Sequence, residues 1–386
     1  MELEERIARR QAGRNGRRII VDREQLSPVV HVRNPVGRGP VFEQLLDAVD
    51  ASFDGGVPDD FIITGPSGSG KSAVITALFD ALSERLGQAS NVIGTTTRAG
   101  SDLPVTWFIH VDARRVQSSF ALYRAMLSTM TTESVPESGI GTDELHSRLY
   151  DELDRPGRQI VLAVDHYGEP DALQFEKVTE LLEPISESLT LVGIGQQPPP
   201  EWTGLTIDVP IYRHHEIVDL LTERASSGLA AGALDHTLTR RLATWADGNA
   251  HDALAALFSA AVLASNGGRE RIKPHHLDTA MADVPDNSVH VDRVLALSAT
   301  RQQVLHDLIS LESVDNPIRD VAADIAARSS LTAGTVKRFL YELADLGVIE
   351  RVPLPSNGSG RRPSTVELRF PTIPFLTLSP ELEWGP

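Results

Sequence analysis

Gly65, Gly70, Lys71 and Ser72 match the pattern G-x-x-x-x-G-K-[ST] in full, inside FIITGPSGSGKSAVITALF (61–79). A loop of this kind holds a phosphate chain. Its glycines let the backbone turn sharply, and the amides that follow point at an anion from the start of a helix. Gly65, Pro66, Ser67, Gly68, Ser69, Gly70 and Ala73 form the cradle, Lys71 reaches the β and γ oxygens of ATP or ADP, and Ser72 holds Mg²⁺. A second stretch, IVLAVDHYG, closes an apolar run on Asp165, the place for a carboxylate that binds Mg²⁺ through water. The next residue is His166, where many nucleotide hydrolases carry a carboxylate that polarises the attacking water; Glu169 lies nearby in sequence. The plainer readings are a glycine-rich strand-to-helix turn and a carboxylate capping a strand end.

The surrounding elements fall into three blocks. DFIITG, VTWFIHVDA (105–113), QIVLAVDH (159–166), LTLVGIG (189–195) and LTIDVPI (205–211) are short apolar runs separated by helical patterns such as SAVITALFDALSERL and TDELHSRLYDEL. Strands apolar on both faces and joined through helices predict a parallel sheet in a three-layer α/β domain over residues 19–211. From 212 to 284 only helical patterns remain, which predicts a small all-α domain. After the polar PDNSVHVD, residues 290–376 read helix, helix, turn, helix and a hairpin with a Gly-rich tip, the order of a winged helix-turn-helix. Residues 1–18, with six arginines and three glutamates, read as a basic arm.

Composition limits the chemistry. The 386 residues include no cysteine, which removes disulfides, thiolate metal sites and cysteine nucleophiles. No apolar run reaches membrane-spanning length and the N-terminal residues form no secretory signal, so a cytoplasmic protein without a membrane partner is expected. Acidic residues outnumber basic ones 53 to 36, for a net charge of −17, and arginine dominates the basic set. An acidic surface suits a salt-rich, halophilic cytoplasm, so net charge alone does not exclude nucleic acid. Local charge decides: residues 331 to 370 hold six basic and four acidic side chains. Lys337 and Arg338 fall on the expected recognition helix, and Arg351, Arg361, Arg362 and Arg369 on the wing, a pattern for duplex DNA. A winged helix that binds protein is the rival reading. His214-His215 and His275-His276 lack the helical spacing of metal ligands, and Trp107, Trp202 and Trp245 read as packing residues.

Taken together, the LSPVVHVRNPVGR segment, the phosphate loop, the helical block and the terminal winged helix resemble the archaeal AAA+ replication initiators related to the origin-recognition and cell-division-control proteins. The resemblance covers nearly the whole chain and implies an AAA+ P-loop core, an all-α lid and a DNA-binding winged helix. It places Val36 and Arg38 beside the adenine, and implies other initiator subunits or replication factors as partners. This chain departs from the family where hydrolysis is carried out. His166 replaces the second acid of an Asp-Glu pair, and Gln196 stands where a sensor asparagine is usual. His251 in GNAHDAL replaces an arginine that senses the γ-phosphate, and QQPPPEWTGLTIDVP holds no arginine finger. Each change weakens transition-state stabilisation more than binding, so the expected protein binds nucleotide as a switch with slow or absent hydrolysis. Origin recognition or its regulation is the implied role. A nucleotide-gated transcription regulator, a plasmid-replication factor and an adaptor with a protein-binding winged helix stand as alternatives.

Overall fold

The structure is a computed structural model that describes residues 18–93, 104–131, 134–311, 316–354 and 362–379. The basic arm expected at 1–18, apart from Arg18, and the wing residue Arg361 lie outside the described residues. In chain order the elements are α1 (Arg23–Leu26), α2 (Gly39–Ala48), β1 (Phe61–Thr64), α3 (Lys71–Ile93), β2 (Val105–Asp112), α4 (Ser119–Met130), α5 (Thr142–Leu153), β3 (Arg158–Asp165), α6 (Phe175–Leu182), β4 (Leu189–Ile194) and β5 (Leu205–Asp208). There follow α7 (His214–Gly228), α8 (His236–Ala246), α9 (Ala250–Asn266), α10 (Pro274–Ala282), α11 (Val291–Leu295), α12 (Ala299–Ile309), α13 (Ile318–Ala326), α14 (Ala333–Asp345), β6 (Ile349–Pro353), β7 (Ser364–Leu368) and α15 (Thr372–Leu378). Two units result, His31–Glu216 and the remainder.

In the first unit five strands pair in parallel in the order β2-β3-β4-β1-β5. Side chains alternate across the sheet, so each strand feeds two cores. Ile62, Ile109, Leu162 and Val164 meet Leu122, Met126, Leu145, Leu149 and Val178 from α4, α5 and α6. Phe61, Ile63, Val161 and Ala163 meet Val41, Leu45, Val74, Ile75 and Leu78 from α2 and α3. This is the three-layer arrangement expected from the apolar runs. β3, buried along nearly its whole length, lies inside the sheet between β2 and β4 and carries Asp165 at its C-terminal end.

In the second unit α7 to α10 are the helices of the block expected to be the lid, called the lid below. Residues 19–30, read from sequence as part of the nucleotide domain, pack here instead. Ile20 bridges Leu229, and Arg224 of α7 donates to the carbonyls of Gln25 (3.0 Å) and Val30 (2.6 Å). The segment approaches so closely that a Cβ on Gly228 would lie 2.4 Å from Leu26 Cγ. The last block packs α12, α13 and α14 against the antiparallel β6–β7 hairpin around Val304, Leu305, Ile325, Val336, Leu340, Ile349 and Phe370. Lid and last block are tied directly. The Asp283 carboxylate, at the end of α10, caps α15 by accepting from the Thr372 and Ile373 amides at 3.1 and 2.9 Å. Arg369 donates to the Asn287 carbonyl (2.9 Å) and pairs with Glu350 (2.6 Å). Trp107 and Trp202 pack on the first core as expected, whereas Trp245 is 37% exposed on α8. Among the described residues no helix is long and apolar enough to cross a membrane.

Candidate nucleotide site and basic helix–hairpin surface

The phosphate loop leaves β1 at Gly65 with φ +147°, and a Cβ there would sit 2.2 Å from the Val209 carbonyl oxygen. Only glycine fits that position. A turn closed by the Ser69 amide on the Pro66 carbonyl (3.3 Å) leads to Gly70, φ +84°, where a Cβ would lie 2.8 Å from the Tyr212 hydroxyl. α3 starts at Lys71, so the loop amides gather at a helix N-terminus. Ser67, Ser72 and Ala73 are exposed or half-buried along this rim, and Ser69 is buried beneath it. The Lys71 ammonium spans the loop and donates to the Gly65 and Pro66 carbonyls, each at 2.8 Å. Burial pushes its pKa below that of an ordinary lysine, against the opposing pull of Asp165, Glu169 and Asp208. A bound phosphate chain would favour its charged form.

Arg38, expected beside the base, makes contacts with the phosphate loop. Its side chain is buried, and Nη2 donates to the Ser69 carbonyl (2.8 Å) and the Pro210 carbonyl (3.0 Å). The guanidinium lies 3.5 Å over the Tyr212 ring. It braces the phosphate loop from below. Val36, two residues earlier, is half-buried.

At the end of β3 the buried Asp165 carboxylate accepts the His166 amide (2.8 Å) and meets His110 Nε2 (3.0 Å). Burial alone would raise its pKa, but His166, His110 and a hydrogen bond from Ser72 outweigh that and hold it far below the usual carboxylate range. An ionised Asp165 beside the Ser72 hydroxyl is a hard oxygen donor pair, which fits Mg²⁺. His166 adopts φ +63°, turning the chain so that its Nδ1 lies 3.1 Å from Glu169 Oε1. With the Nδ1 proton given to Glu169, Nε2 is the acceptor end of the ring, 3.8 Å from Asp165 Oδ2. Sequence spacing leaves Glu169 unaligned, and the left-handed turn is what brings it to His166. Sequence reasoning also misses His110. Its signal lies in FIHVD: a polar residue in a buried strand, two positions before Asp112, shares the face of Asp112, which pairs with Asp165. Gln196 lies exposed just past β4.

His251 belongs to the second unit. Its ring is buried, accepts the Val291 amide at Nε2 (3.2 Å) and stacks on His290. The expected sensor side chain is thus engaged with the first helix of the last block.

On that block, Thr332 caps α14 by accepting the Thr335 amide (3.2 Å). Lys337, Arg338, Arg351 and Arg362 are exposed. Lys337 and Arg351 lie 5.9 and 5.0 Å from the Tyr341 ring centre, one on the helix and one on the hairpin. Arg338 is partly neutralised by Glu342 (3.5 Å), which also binds Arg301 (2.8 Å). Arg369, counted with the wing from sequence, is instead the structural tie to Glu350 and Asn287.

Residues 34–192 match the AAA ATPase domain family. An ORC1-type DNA replication protein of Methanoregula boonei is 22% identical over 92% of this chain and 87% of its own length. ORC1-type DNA replication protein 8 of Halobacterium salinarum is 25% identical over 81% of this chain and 84% of its own. The Aeropyrum pernix ORC1 protein, solved in complex with DNA, superposes with a TM-score of 0.63 at 21% identity, covering 93% of this chain and 96% of that one. Cdc6p from Pyrobaculum aerophilum gives 0.54 at 16% identity over 93% and 96%. Over most of its length the chain is similar to archaeal ORC1-type DNA replication proteins, and residues 34–192 form a domain of the AAA ATPase kind. At these identities the solved structures establish the shared fold, an AAA+ core followed by a lid and a terminal helix–hairpin block. The phosphate loop, Lys71, Ser72 and Asp165 lie together in the first unit, and His166, Gln196 and His251 are the positions at which the resemblance implies a departure.

Proposed function

We propose that the protein is an ATP-binding, duplex-DNA-binding initiator of the ORC/Cdc6 type, acting in origin recognition or its regulation, with nucleotide as a switch that turns over slowly or not at all. One observation carries the reading. A chain of net charge −17 gathers the exposed cations Lys337, Arg338, Arg351 and Arg362 on one helix and hairpin, while its other unit forms a complete phosphate loop. Mg²⁺, held by Ser72 and Asp165, would neutralise charge on the β and γ phosphates. Around it Lys71 binds the phosphate chain, Arg38 braces the loop and Asp165 is kept ionised. His166, oriented by Glu169, stands in for the usual carboxylate. Imidazole Nε2 can accept a proton from water, but it carries no negative charge with which to polarise it.

The test is duplex binding by fluorescence anisotropy, with and without ATP, across a KCl titration. Lys337→Ala with Arg351→Ala should weaken binding and reduce the salt slope by roughly 0.9 for each phosphate that the variant no longer neutralises. Unchanged affinity and slope would favour the protein-binding adaptor reading. Genome-wide occupancy then separates an initiator from a transcription regulator.

A further inference from the structure

We infer that the chain carries a second metal site, selective for Zn²⁺-like ions, at the joint between α9 and the terminal block. Its ligands are His251, His290 and Asp292. The site is distinct from the nucleotide's Mg²⁺ and independent of the proposed function.

The three residues bring one ligand atom each within 4.8 Å of the other two. They come from two elements, with His251 and Val291 40 residues apart: His251 lies in the first turn of α9, while His290 stands at the N-cap position of α11 and Asp292 lies in its first turn. His251 is only 8% exposed and is joined to α11 by its bond from the Val291 amide. The imidazoles stack face to face at 3.8 Å and 11°, and His290 Nδ1 lies 4.0 Å from Asp292 Oδ1. Two imidazoles and a carboxylate in a half-buried joint form a cluster that apolar packing would not assemble. It differs in kind from the adjacent His275-His276 pair, where His276 Nδ1 serves as a local cap for the Lys273 amide.

The donor set selects the ion. Nitrogen ligands suit Zn²⁺, Co²⁺ and Ni²⁺, whereas Mg²⁺ and Ca²⁺ require oxygen cages. Three protein ligands with a fourth position for water is a familiar zinc arrangement. Zinc bonds of about 2.0–2.1 Å set ligand–ligand edges of roughly 3.3 Å, so the cluster closes by rotations of side chains already in place. Ligation by His251 Nε2 would displace the Val291 amide. That amide is buried, so ligation through Nε2 would cost its hydrogen bond, a loss that the metal bonds must outweigh. An ion here would also draw the two rings out of their parallel stack and cross-link α9 to α11. The terminal block, already tied to the lid through Asp283 and Arg369, would then be locked to it by metal.

The experiment uses the untagged, nucleotide-free full chain, stripped with chelator and titrated with Co²⁺. The expected result is one equivalent of ligand-field absorption in the visible, displaced by Zn²⁺, and a Zn²⁺-dependent rise in the melting temperature. His251→Gln and Asp292→Asn should each weaken Zn²⁺ binding by at least about 10-fold, the loss typical even of an outer-sphere partner. Metal-free melting of both variants shows whether they fold, and Asp292→Asn, which keeps the side-chain shape, serves if His251→Gln does not. His275→Gln should leave binding unchanged. No cobalt spectrum at stoichiometric protein, or a spectrum that survives both ligand variants, overturns the inference.

Discussion

Replacing Arg38 by methionine tests how the phosphate loop is held. Methionine retains an unbranched, apolar stem in the same space but removes the guanidinium that donates to Ser69 and Pro210 and covers Tyr212. Hydrogen bonds from a charged donor are worth about 1.5–3 kcal/mol each, and a desolvated cation–π contact about 2. These terms overlap, and Arg38 Nε is itself buried without an acceptor, so the lower half of each range applies. Only the Ser69 bond acts on the loop. Its loss, about 1.5–2 kcal/mol, corresponds to roughly a 10- to 30-fold weaker affinity for ADP. The Pro210 and Tyr212 contacts should appear as a lower melting temperature instead. Calorimetric titration with ADP and Mg²⁺, beside thermal melts of the same samples, separates the two. Arg38→Lys should recover little, because an ammonium lacks the planar face that covers Tyr212. A variant that melts earlier yet binds ADP within twofold of the parent would refute the brace and leave Arg38 as a packing residue.

Lys71→Ala removes two charged bonds at the loop and should reduce ATP and ADP binding on the order of 100-fold or more, read by the same titration. His166→Glu should speed single-turnover hydrolysis about 10-fold or more, below the full effect of a positioned base because no arginine finger is supplied; brisk turnover by the parent would instead make the His166–Glu169 pair a working catalyst. Asp252, on α9, has its pKa pushed up to about 6 by burial. Between about pH 4 and 6 the folded chain therefore holds a proton that the unfolded chain has lost, and its stability falls as pH rises through that window. Asp252→Asn should accordingly be more stable than the parent above pH 7, by about 2–3 kcal/mol at most, with the gain vanishing near pH 4 in urea melts. If the acidic surface is an adaptation to salt, the melting temperature should climb from dilute buffer to molar KCl; a flat profile would count against it.

The phosphate loop was legible in the sequence because its chemistry is local. Gly65 and Gly70 are imposed by backbone torsion and by the approach of Val209 and Tyr212, and nothing else fits. The sheet was legible for a similar reason: strands buried on both faces write a continuous apolar run. What the sequence could not display is the far partner of a polar side chain. Nothing in the sequence shows that Arg38 bonds Ser69 and Pro210, and Arg369 reads as a wing cation until Glu350 and Asn287 claim it. Glu169 reads as misaligned until one left-handed residue, His166, folds the chain back. In each case a charged or polar group found satisfaction through tertiary structure, which periodicity does not encode.

The same rule governs the two histidines at which the resemblance implies a departure, since a buried polar group without partners is costly. His166 found Glu169, and His251 found Val291 and His290. Both are histidines with partners, and neither is an apolar filler. Both side chains make internal contacts, one beside Asp165 and one where α9 meets the terminal block. If these positions follow the γ-phosphate, as the resemblance implies, each histidine must first leave those contacts to do so.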